Sequence, residues 1–295
     1  IAVRTINRQN IDHAGHSKVK HIGPGDTQRE EGPVDVLLRH GHRAHIGVQV
    51  QLPAHGHVGG LHRTALGRLG GAFEEDVARF ALGEDVVRHG LALGEPVFNR
   101  QALDGLKDEP WDIVTVQEVS NNSGTYETYQ KWAPKLLSII RKEVSSPEAA
   151  IVWHMTWAYA SNSDHGAFKN YNRDQKVMYD AIVDCVSRAR EDFNVPVVIP
   201  SGEAIQIARG TRLNNESRVP ATSKVYQLTR DGFHLTRQHG RYIAACTWFE
   251  TLIKPVLGKS VNGNPYLLED TEYSITKKDA RLCQKCAIKA VDSFK

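Results

Sequence analysis

The sequence predicts an α/β fold in which helices cover both faces of a parallel sheet. Two observations support this fold class. From about residue 103, apolar strand-like runs alternate with amphipathic helical segments, an order that favours parallel strands joined by helices. The strand-like runs are continuously apolar, which is typical of strands buried on both faces. In such folds, ligands and catalytic groups lie beyond the carboxyl ends of the strands.

The elements of this α/β region follow one another along the chain. Apolar runs bounded by polar residues predict three strands, at 111–120, 149–160 and 195–202. Apolar residues at helical spacing predict four helices, at 129–144, 171–192, 203–209 and about 239–256.

The four cysteines are interpreted as small core residues. Cys185 and Cys246 fall within apolar helical patterns, where a free cysteine behaves as a small apolar side chain. Cys283 and Cys286 form a single C-x-x-C near the C-terminus. A zinc ribbon would need a second such pair, and a thioredoxin-like motif should follow a strand. We therefore expect two helical cysteines without a catalytic role.

The first hundred residues differ in composition from the rest, so we predict a separate segment at 1–100 and the α/β domain at 101–295. The segment holds ten of the fourteen His and fifteen of the twenty-four Gly, but no Trp, no Tyr and two of the sixteen Lys. Aromatic residues build cores and dense Gly opposes order. We expect a poorly ordered or atypical segment without sustained periodicity. A shifted reading frame upstream of a genuine domain is the alternative, and translating all frames of the coding DNA would test it.

The histidines of this segment also suggest a metal-binding protein. Imidazoles bind zinc and nickel, and six histidines lie close together in sequence, at His40, His42, His45, His55, His57 and His62. They lack the spacing of an H-E-x-x-H helix, and Arg residues are interleaved among them. We therefore predict no metal site and no cofactor.

Charge and hydropathy narrow the range of partners. The net charge of +3, with 24% charged residues, is too weak and too dispersed to indicate nucleic acid or an anionic membrane. No apolar run approaches the ~20 residues that span a bilayer. No secretory signal is visible, but the sequence begins with Ile1 rather than Met, so an export signal removed by processing stays open.

Polar residues end each predicted strand, and a further polar pair follows in a Gly-containing loop. We expect these groups to converge at one edge of the sheet and to form a small-molecule or glycan site. They are Gln117, Glu118 and Ser120, then His154, Thr156 and Trp157, then Ser201 and Glu203, and finally Asp231 and His234.

The spacing of Asp231 and His234 allows two interpretations. A histidine general base needs a carboxylate that fixes its tautomer and stabilises the imidazolium, and a D-x-x-H turn supplies both groups. The alternative is a helix-capping Asp followed by a His that packs against the helix. The position after the last strand, with Ala244, Ala245 and Trp248 anchoring the next helix, favours the catalytic pair.

Five ordered blocks resemble a bacterial family, DUF4886, of the SGNH/GDSL hydrolase superfamily: WDIVTVQEVS, HMTWAYA, YNRDQKVMYDAIVD, IPSGEAIQIAR and RDGFHLTRQHGRYIAACTWFE. They span about 103–256. The resemblance implies a three-layer α/β/α fold with a flavodoxin-like parallel sheet, and hydrolysis of a small-molecule or glycan ester, such as an acylated carbohydrate. It implies that Asp231 and His234 are the catalytic acid–base pair and that Gln117 donates to the oxyanion, a role that an amide N–H suits. It also implies a secreted or periplasmic location.

The N-terminal part of the family pattern is not matched. The family begins with a strand that runs into a Gly-Asn-Ser-Phe-like turn, whose Ser is the nucleophile. The nearest stretch, VKHIGPGDT at 19–27, places Gly25 there and Thr27 two residues late, and 57–66 only weakly resembles the next block. Ser17 and Ser120 lack the expected turn. The sequence therefore predicts a serine-esterase site without a recognisable nucleophile, with a non-catalytic glycan-binding relative as the alternative.

Overall fold

The computed structural model describes residues 106–107, 111–218, 227–267 and 273–294, and the backbone of 46–52 and 61–62. Its strands form one sheet in the order β2-β1-β3-β4-β5, where these are β1 (Ile46–Leu52), β2 (Leu61–His62), β3 (Ile113–Glu118), β4 (Ala150–His154) and β5 (Val198–Ile199). Strands β1, β3, β4 and β5 run parallel, and β2 pairs antiparallel with β1. The parallel sheet expected from the sequence is confirmed.

From β3 onward a helix follows each strand, and further helices follow the last strand. In chain order they are α1 (Tyr126–Glu143), α2 (Gln175–Asp192), α3 (Ser201–Arg209), α4 (His239–Trp248), α5 (Lys254–Leu257) and α6 (Lys277–Ser293). Asp174 caps α2 by accepting hydrogen bonds from the backbone amides of Lys176 and Val177, which satisfies two amides that lack a partner within the helix. No described helix is both long and apolar enough to cross a membrane.

Two apolar cores lie on opposite faces of the sheet. Helices α1 and α2 pack over Val114, Val116 and Trp153, whereas α3, α4 and α6 share a core with Val152 and Ile199. Val152 and Trp153 are neighbours in β4 but enter different cores, because successive side chains of a strand point to opposite faces. Helices therefore cover both faces, and the fold has the three layers of an α/β/α protein.

Strand β1 lies inside the segment for which the sequence predicted no sustained strand periodicity. That expectation was wrong for Ile46–Leu52, because IGVQVQL alternates with a period of two between larger apolar residues and Gly or Gln, the pattern of a strand. The Gly-rich and His-rich residues on either side of this short run made its strand periodicity hard to recognise. Apart from the backbone of 46–52 and 61–62, the 1–100 segment lies outside the described residues, and so do the candidate metal ligands His40 to His57.

The helix predicted at 239–256 is interrupted. A π-helical turn, Phe249–Ile253, joins α4 to α5, and the Lys254 amide donates to the Phe249 carbonyl five residues earlier. Pro255 follows directly and has no amide hydrogen with which to continue an α-helical ladder. The hydrogen-bond pattern therefore changes at the point where this proline enters.

Candidate functional site

A tight turn before α4 carries Asp231 and His234. The Arg230 amide donates to the His234 carbonyl at 2.8 Å, which closes the turn on itself. Gly232 has a φ of 86°, in the left-handed region that glycine adopts without a steric penalty. The Ala160 amide donates to the Gly232 carbonyl at 2.7 Å, so the turn is tied to the loop that follows β4.

Asp231 and His234 form a hydrogen-bonded pair. Oδ2 of Asp231 lies 2.6 Å from Nδ1 of His234. Its Oδ1 accepts from the backbone amides of His234 at 2.7 Å and Phe233 at 3.2 Å. Burial alone would raise the pKa of Asp231, but hydrogen bonds to its ionised form outweigh burial and hold this pKa below its ordinary value. A charged Asp231 at neutral pH therefore keeps a proton on Nδ1.

The second ring nitrogen of His234 is accessible to a reactant. The side chain is 49% exposed, and none of the described residues is hydrogen-bonded to Nε2. A neutral imidazole with its proton on Nδ1 has a lone pair at Nε2. The pair therefore presents an oriented base at the surface.

Aromatic rings border this base. The Phe233 ring lies 4.2 Å from the His234 ring, His165 lies 4.6 Å from Phe233, and Tyr159 lies 4.7 Å from His165 (centroid distances). Burial, together with the positive charge that His234 can carry, lowers the pKa of His165. Because Nδ1 of His165 accepts from the Ala167 amide at 3.2 Å, the neutral ring carries its proton on Nε2.

A second polar group joins the ends of three strands. Nδ1 of His154, the last residue of β4, lies 2.7 Å from Oε1 of Gln117 in β3. Its Nε2 lies 2.9 Å from the hydroxyl of Ser201, the first residue of α3. His154 is 8% exposed and Ser201 is fully buried. We call these three side chains the Gln117–His154–Ser201 chain. They are held together at the carboxyl ends of the parallel strands.

Trp157 connects this chain to the turn that carries the base. Its indole N–H donates to the Phe233 carbonyl at 2.7 Å, one residue before His234. Its ring meets the His154 ring edge-on, at a centroid distance of 6.4 Å. The Asp231–His234 pair and the Gln117–His154–Ser201 chain therefore share Trp157 as a neighbour.

A buried ion pair supports the loop after β4. Nε of Arg209 lies 3.0 Å from Oε1 of Glu216, and each of the two side chains is 3% exposed. Arg209 also donates to the Ala158 carbonyl at 2.8 Å, and Glu216 accepts from the Ser161 amide at 3.2 Å. These bonds fix the loop on both sides of Ala160, which in turn holds the Asp231–His234 turn.

The predicted site residues fall into two groups. The structure brings Asp231 and His234 together, whereas the described contact of the Gln117 side chain is with His154. Sequence reasoning named His154 and Ser201 as polar strand ends but missed this contact, which depends on the cross-strand register that pairs Val116 with Trp153. That register was not readable from the sequence.

The stretch nearest to the nucleophile turn of the family, 19–27, and the weak match to its next block, 57–66, lie outside the described residues except for the backbone of 61–62. Within the described part of the chain, no three His, Cys, Asp or Glu side chains are grouped as a metal site requires.

The α/β domain is similar in sequence to a known protein family. Residues 99–290 match the family described as a domain of unknown function, DUF4886. The chain belongs to the DUF4886 family. A solved DUF4886 family protein from Bacteroides uniformis is 37% identical, with a TM-score of 0.55, and the match covers 64% of this chain and 65% of that one. The DUF4886 resemblance carried by the five sequence blocks is thereby confirmed, although the match spans less than two thirds of that relative.

A second solved structure is more distant. It is described as "a putative SGNH hydrolase" from Slackia heliotrinireducens, with 19% identity, a TM-score of 0.40, and coverage of 62% of this chain and 92% of that one. No curated protein matches the chain.

Proposed function

We propose that this DUF4886 domain is an ester hydrolase of the SGNH type, in which Asp231 and His234 are the catalytic acid–base pair. One observation carries the proposal: a carboxylate with a lowered pKa lies 2.6 Å from Nδ1 of His234, whose side chain is 49% exposed. A helix cap would need the aspartate to bond the first amides of α4. Asp231 instead bonds the amides of Phe233 and His234 within its own turn.

The pair supplies general acid–base catalysis. Nε2 of His234 takes the proton of the attacking hydroxyl as its oxygen bonds to the acyl carbon, and the carbonyl electrons move onto the carbonyl oxygen. Asp231 stabilises the imidazolium that forms. When the tetrahedral intermediate collapses, the leaving alcohol takes the proton from Nε2, and water then releases the acyl group by the same steps.

Gln117 is the proposed oxyanion donor. Its position near the carboxyl end of β3 supports this role, because ligands of parallel α/β sheets bind beyond the carboxyl ends of the strands. Side-chain amides act in this way in acyl transfer, where the loss of one donor costs about 10²–10³ in kcat.

The proposed substrate class is an acylated carbohydrate. Trp157 and Phe233 are half-buried beside His234 and could contact the apolar face of a sugar ring. The alternative is a non-catalytic glycan-binding protein, in which the same rings would contact the sugar and no ester would be cleaved.

Hydrolysis by the full chain tests the proposal. Release of nitrophenol from p-nitrophenyl acetate and of acetate from an acetylated oligosaccharide would be measured for the wild type, Asp231→Asn and His234→Ala. We expect kcat to fall by about 10²–10⁴ in both variants, the usual contribution of a positioned acid–base group.

A second His–Asp pair provides the matched control. Nε2 of His239 lies 3.6 Å from Asp279, and the His239 side chain is 13% exposed, so His239→Ala removes the same kind of side chain elsewhere in the domain. It should leave kcat unchanged. Equal losses in His234→Ala and His239→Ala, or a wild type that binds the oligosaccharide without cleaving either ester, would contradict the proposal.

A further inference from the structure

A second imidazole, that of His165, lies near the base on the loop that follows β4. The Phe233 ring contacts both imidazoles, with centroid distances of 4.2 Å to His234 and 4.6 Å to His165. In the described part of the chain the two imidazoles make no ring contact with each other. His165 is therefore a neighbour of the base that stands apart from it, with Phe233 in contact with both.

The loop of His165 and the turn of His234 pack directly against each other. The Ser163 hydroxyl accepts from the His165 amide at 3.3 Å. A Cβ on Gly232 would lie 3.0 Å from the same hydroxyl oxygen, so the loop and the turn meet where glycine has no side chain. The Ala160 amide adds its hydrogen bond to the Gly232 carbonyl at 2.7 Å. The two imidazoles are thus carried by two segments that are bonded to each other.

The neutral His165 ring carries its proton on Nε2. Its Nδ1 accepts a hydrogen bond from the Ala167 amide at 3.2 Å, and a backbone N–H can only donate. Burial and the positive charge that His234 can carry lower the pKa of His165, against the opposing charges of Asp164 and Asp231. No described residue accepts a hydrogen bond from Nε2. The half-buried ring therefore offers a neutral N–H donor near the base.

A capping role does not account for this donor. The His165 side chain caps the 3₁₀-helical turn Gly166–Tyr171 through its bond to the Ala167 amide. Capping uses only an acceptor, and Asn, Asp and Ser are the residues that usually supply one. The N–H on the other side of the ring has no part in the cap, and neither do the ring contacts with Tyr159 and Phe233.

We infer that His165 recognises the alcohol part of the substrate, by donating a hydrogen bond from Nε2–H to a hydroxyl oxygen of a polyhydroxylated alcohol such as a sugar. The inference rests on the proposed function and narrows its substrate class to esters that carry a free hydroxyl near the ester bond. Phe233, which contacts both imidazoles, would lie against the apolar face of the alcohol between the ester and that hydroxyl.

The spacing of the two imidazoles favours the alcohol over the reacting carbonyl as the group that His165 binds. A donor to the oxyanion has to reach the acyl group on which the base acts. His165 and His234 instead make their ring contacts with Phe233 and not with each other. The ring of His165 is therefore placed for a neighbouring part of the substrate.

Two variants separate recognition from capping. His165→Asn keeps an acceptor for the Ala167 amide but has no donor at the reach of Nε2. His165→Gln places an amide N–H close to the position of Nε2. If His165 only caps its turn, His165→Asn should match the wild type in both thermal midpoint and KM. If His165 binds the alcohol, His165→Asn should raise KM and His165→Gln should raise it less.

Kinetics of the full chain on two esters test the inference. The acetylated oligosaccharide has hydroxyls on its alcohol part, whereas p-nitrophenyl acetate has none. We expect His165→Asn to raise KM for the oligosaccharide about tenfold, the size of one hydrogen bond between neutral groups, and to lower by a similar factor the ratio of kcat/KM on the oligosaccharide to kcat/KM on p-nitrophenyl acetate. Equal losses on both esters, or no loss on the oligosaccharide, would overturn the inference while leaving hydrolysis that depends on His234 intact.

A binding measurement decides the inference without catalysis. In the His234→Ala background, calorimetric titration with the acetylated oligosaccharide should give a Kd about tenfold higher once His165→Asn is added. An unchanged Kd, or no binding by either form, would overturn the inference. A wild type that cleaves neither ester would instead overturn the proposed function, and the two Kd values would then decide the inference by themselves.

Discussion

Glu118, at the end of β3, is a buried carboxyl group that faces α1. It accepts from the Val119 amide at 2.7 Å, and its Oε2 lies 2.6 Å from the Thr128 hydroxyl. That hydroxyl also lies 2.8 Å from the Thr125 carbonyl oxygen and has one hydrogen for two acceptors. Burial raises the pKa of Glu118 from 4.5 to about 8, and the two hydrogen bonds that Glu118 accepts oppose part of that rise.

The raised pKa predicts a pH-dependent stability. Between pH 4.5 and 8 the unfolded chain ionises Glu118 while the folded chain keeps it protonated. The unfolded state then binds fewer protons, so this group lowers the free energy of unfolding as pH rises, by up to ~1.4 kcal/mol per pH unit. The contribution is fully present below pH 4.5 and is lost by about pH 8.

Glu118→Gln tests this prediction because it keeps the shape and removes the ionisation. Urea unfolding at pH 5, 6, 7 and 8 should show the variant gaining stability relative to the wild type as pH rises. Parallel pH dependences of the two proteins would mean that Glu118 is ionised in the folded state.

At the scale of elements, the contact between α3 and β4 depends on Gly202. Gly202→Ala would bring its Cβ within 1.9 Å of the Thr156 carbonyl oxygen, so the start of α3 must move and the Ser201–His154 bond must lengthen. We expect the free energy of unfolding to fall by about 1–3 kcal/mol, the usual cost of overpacking, and hydrolysis to fall with it.

Gly210, at the other end of α3, gives the matched control. It has a φ of −75°, and a Cβ there would be 3.4 Å from the Ile207 carbonyl oxygen, the nearest atom. Gly210→Ala should leave the thermal midpoint and activity near those of the wild type. Equal effects of the two substitutions would show that the close approach of α3 to β4 is not what makes Gly202 necessary.

The elements differ in how far the sequence predicted them. Helices α1 and α2 follow from local apolar spacing, and the Asp231–His234 pair follows from a spacing of three within one turn. The Gln117–His154–Ser201 chain does not, because its members are separated by 37 and 47 positions and meet only through strand register. Strands β4 and β5 are also shorter than predicted, since an apolar run does not reveal where strand pairing ends.

For the whole molecule, the question is how residues 1–100 relate to the α/β domain. The family match begins at residue 99, near the break in composition, yet β1 pairs in parallel with β3 along Ile46–Leu52. Composition predicts a separate segment, while the strand pairing predicts dependence. The strand pairing is the stronger argument, because removing β1 would expose the unpaired backbone of β3.

Removing residues 1–102 tests this dependence. We expect the 103–295 fragment to express poorly and to aggregate, because the exposed β3 edge can pair with other chains. Light scattering and thermal unfolding of the fragment and the full chain would be compared. A soluble fragment that unfolds cooperatively at the midpoint of the full chain would show that the first hundred residues are merely appended.

The central claim is that Asp231, His234 and Gln117 surround one reacting ester. A crystal structure of the full chain treated with an ester-mimicking fluorophosphonate tests it most directly, because the bound phosphorus copies the tetrahedral intermediate. We predict a phosphonyl group on a hydroxyl beside His234, with one phosphonyl oxygen at about 2.7–3.1 Å from Nε2 of Gln117, as an oxyanion hole requires. An adduct elsewhere, or one whose oxygens do not meet the Gln117 amide, would contradict the account.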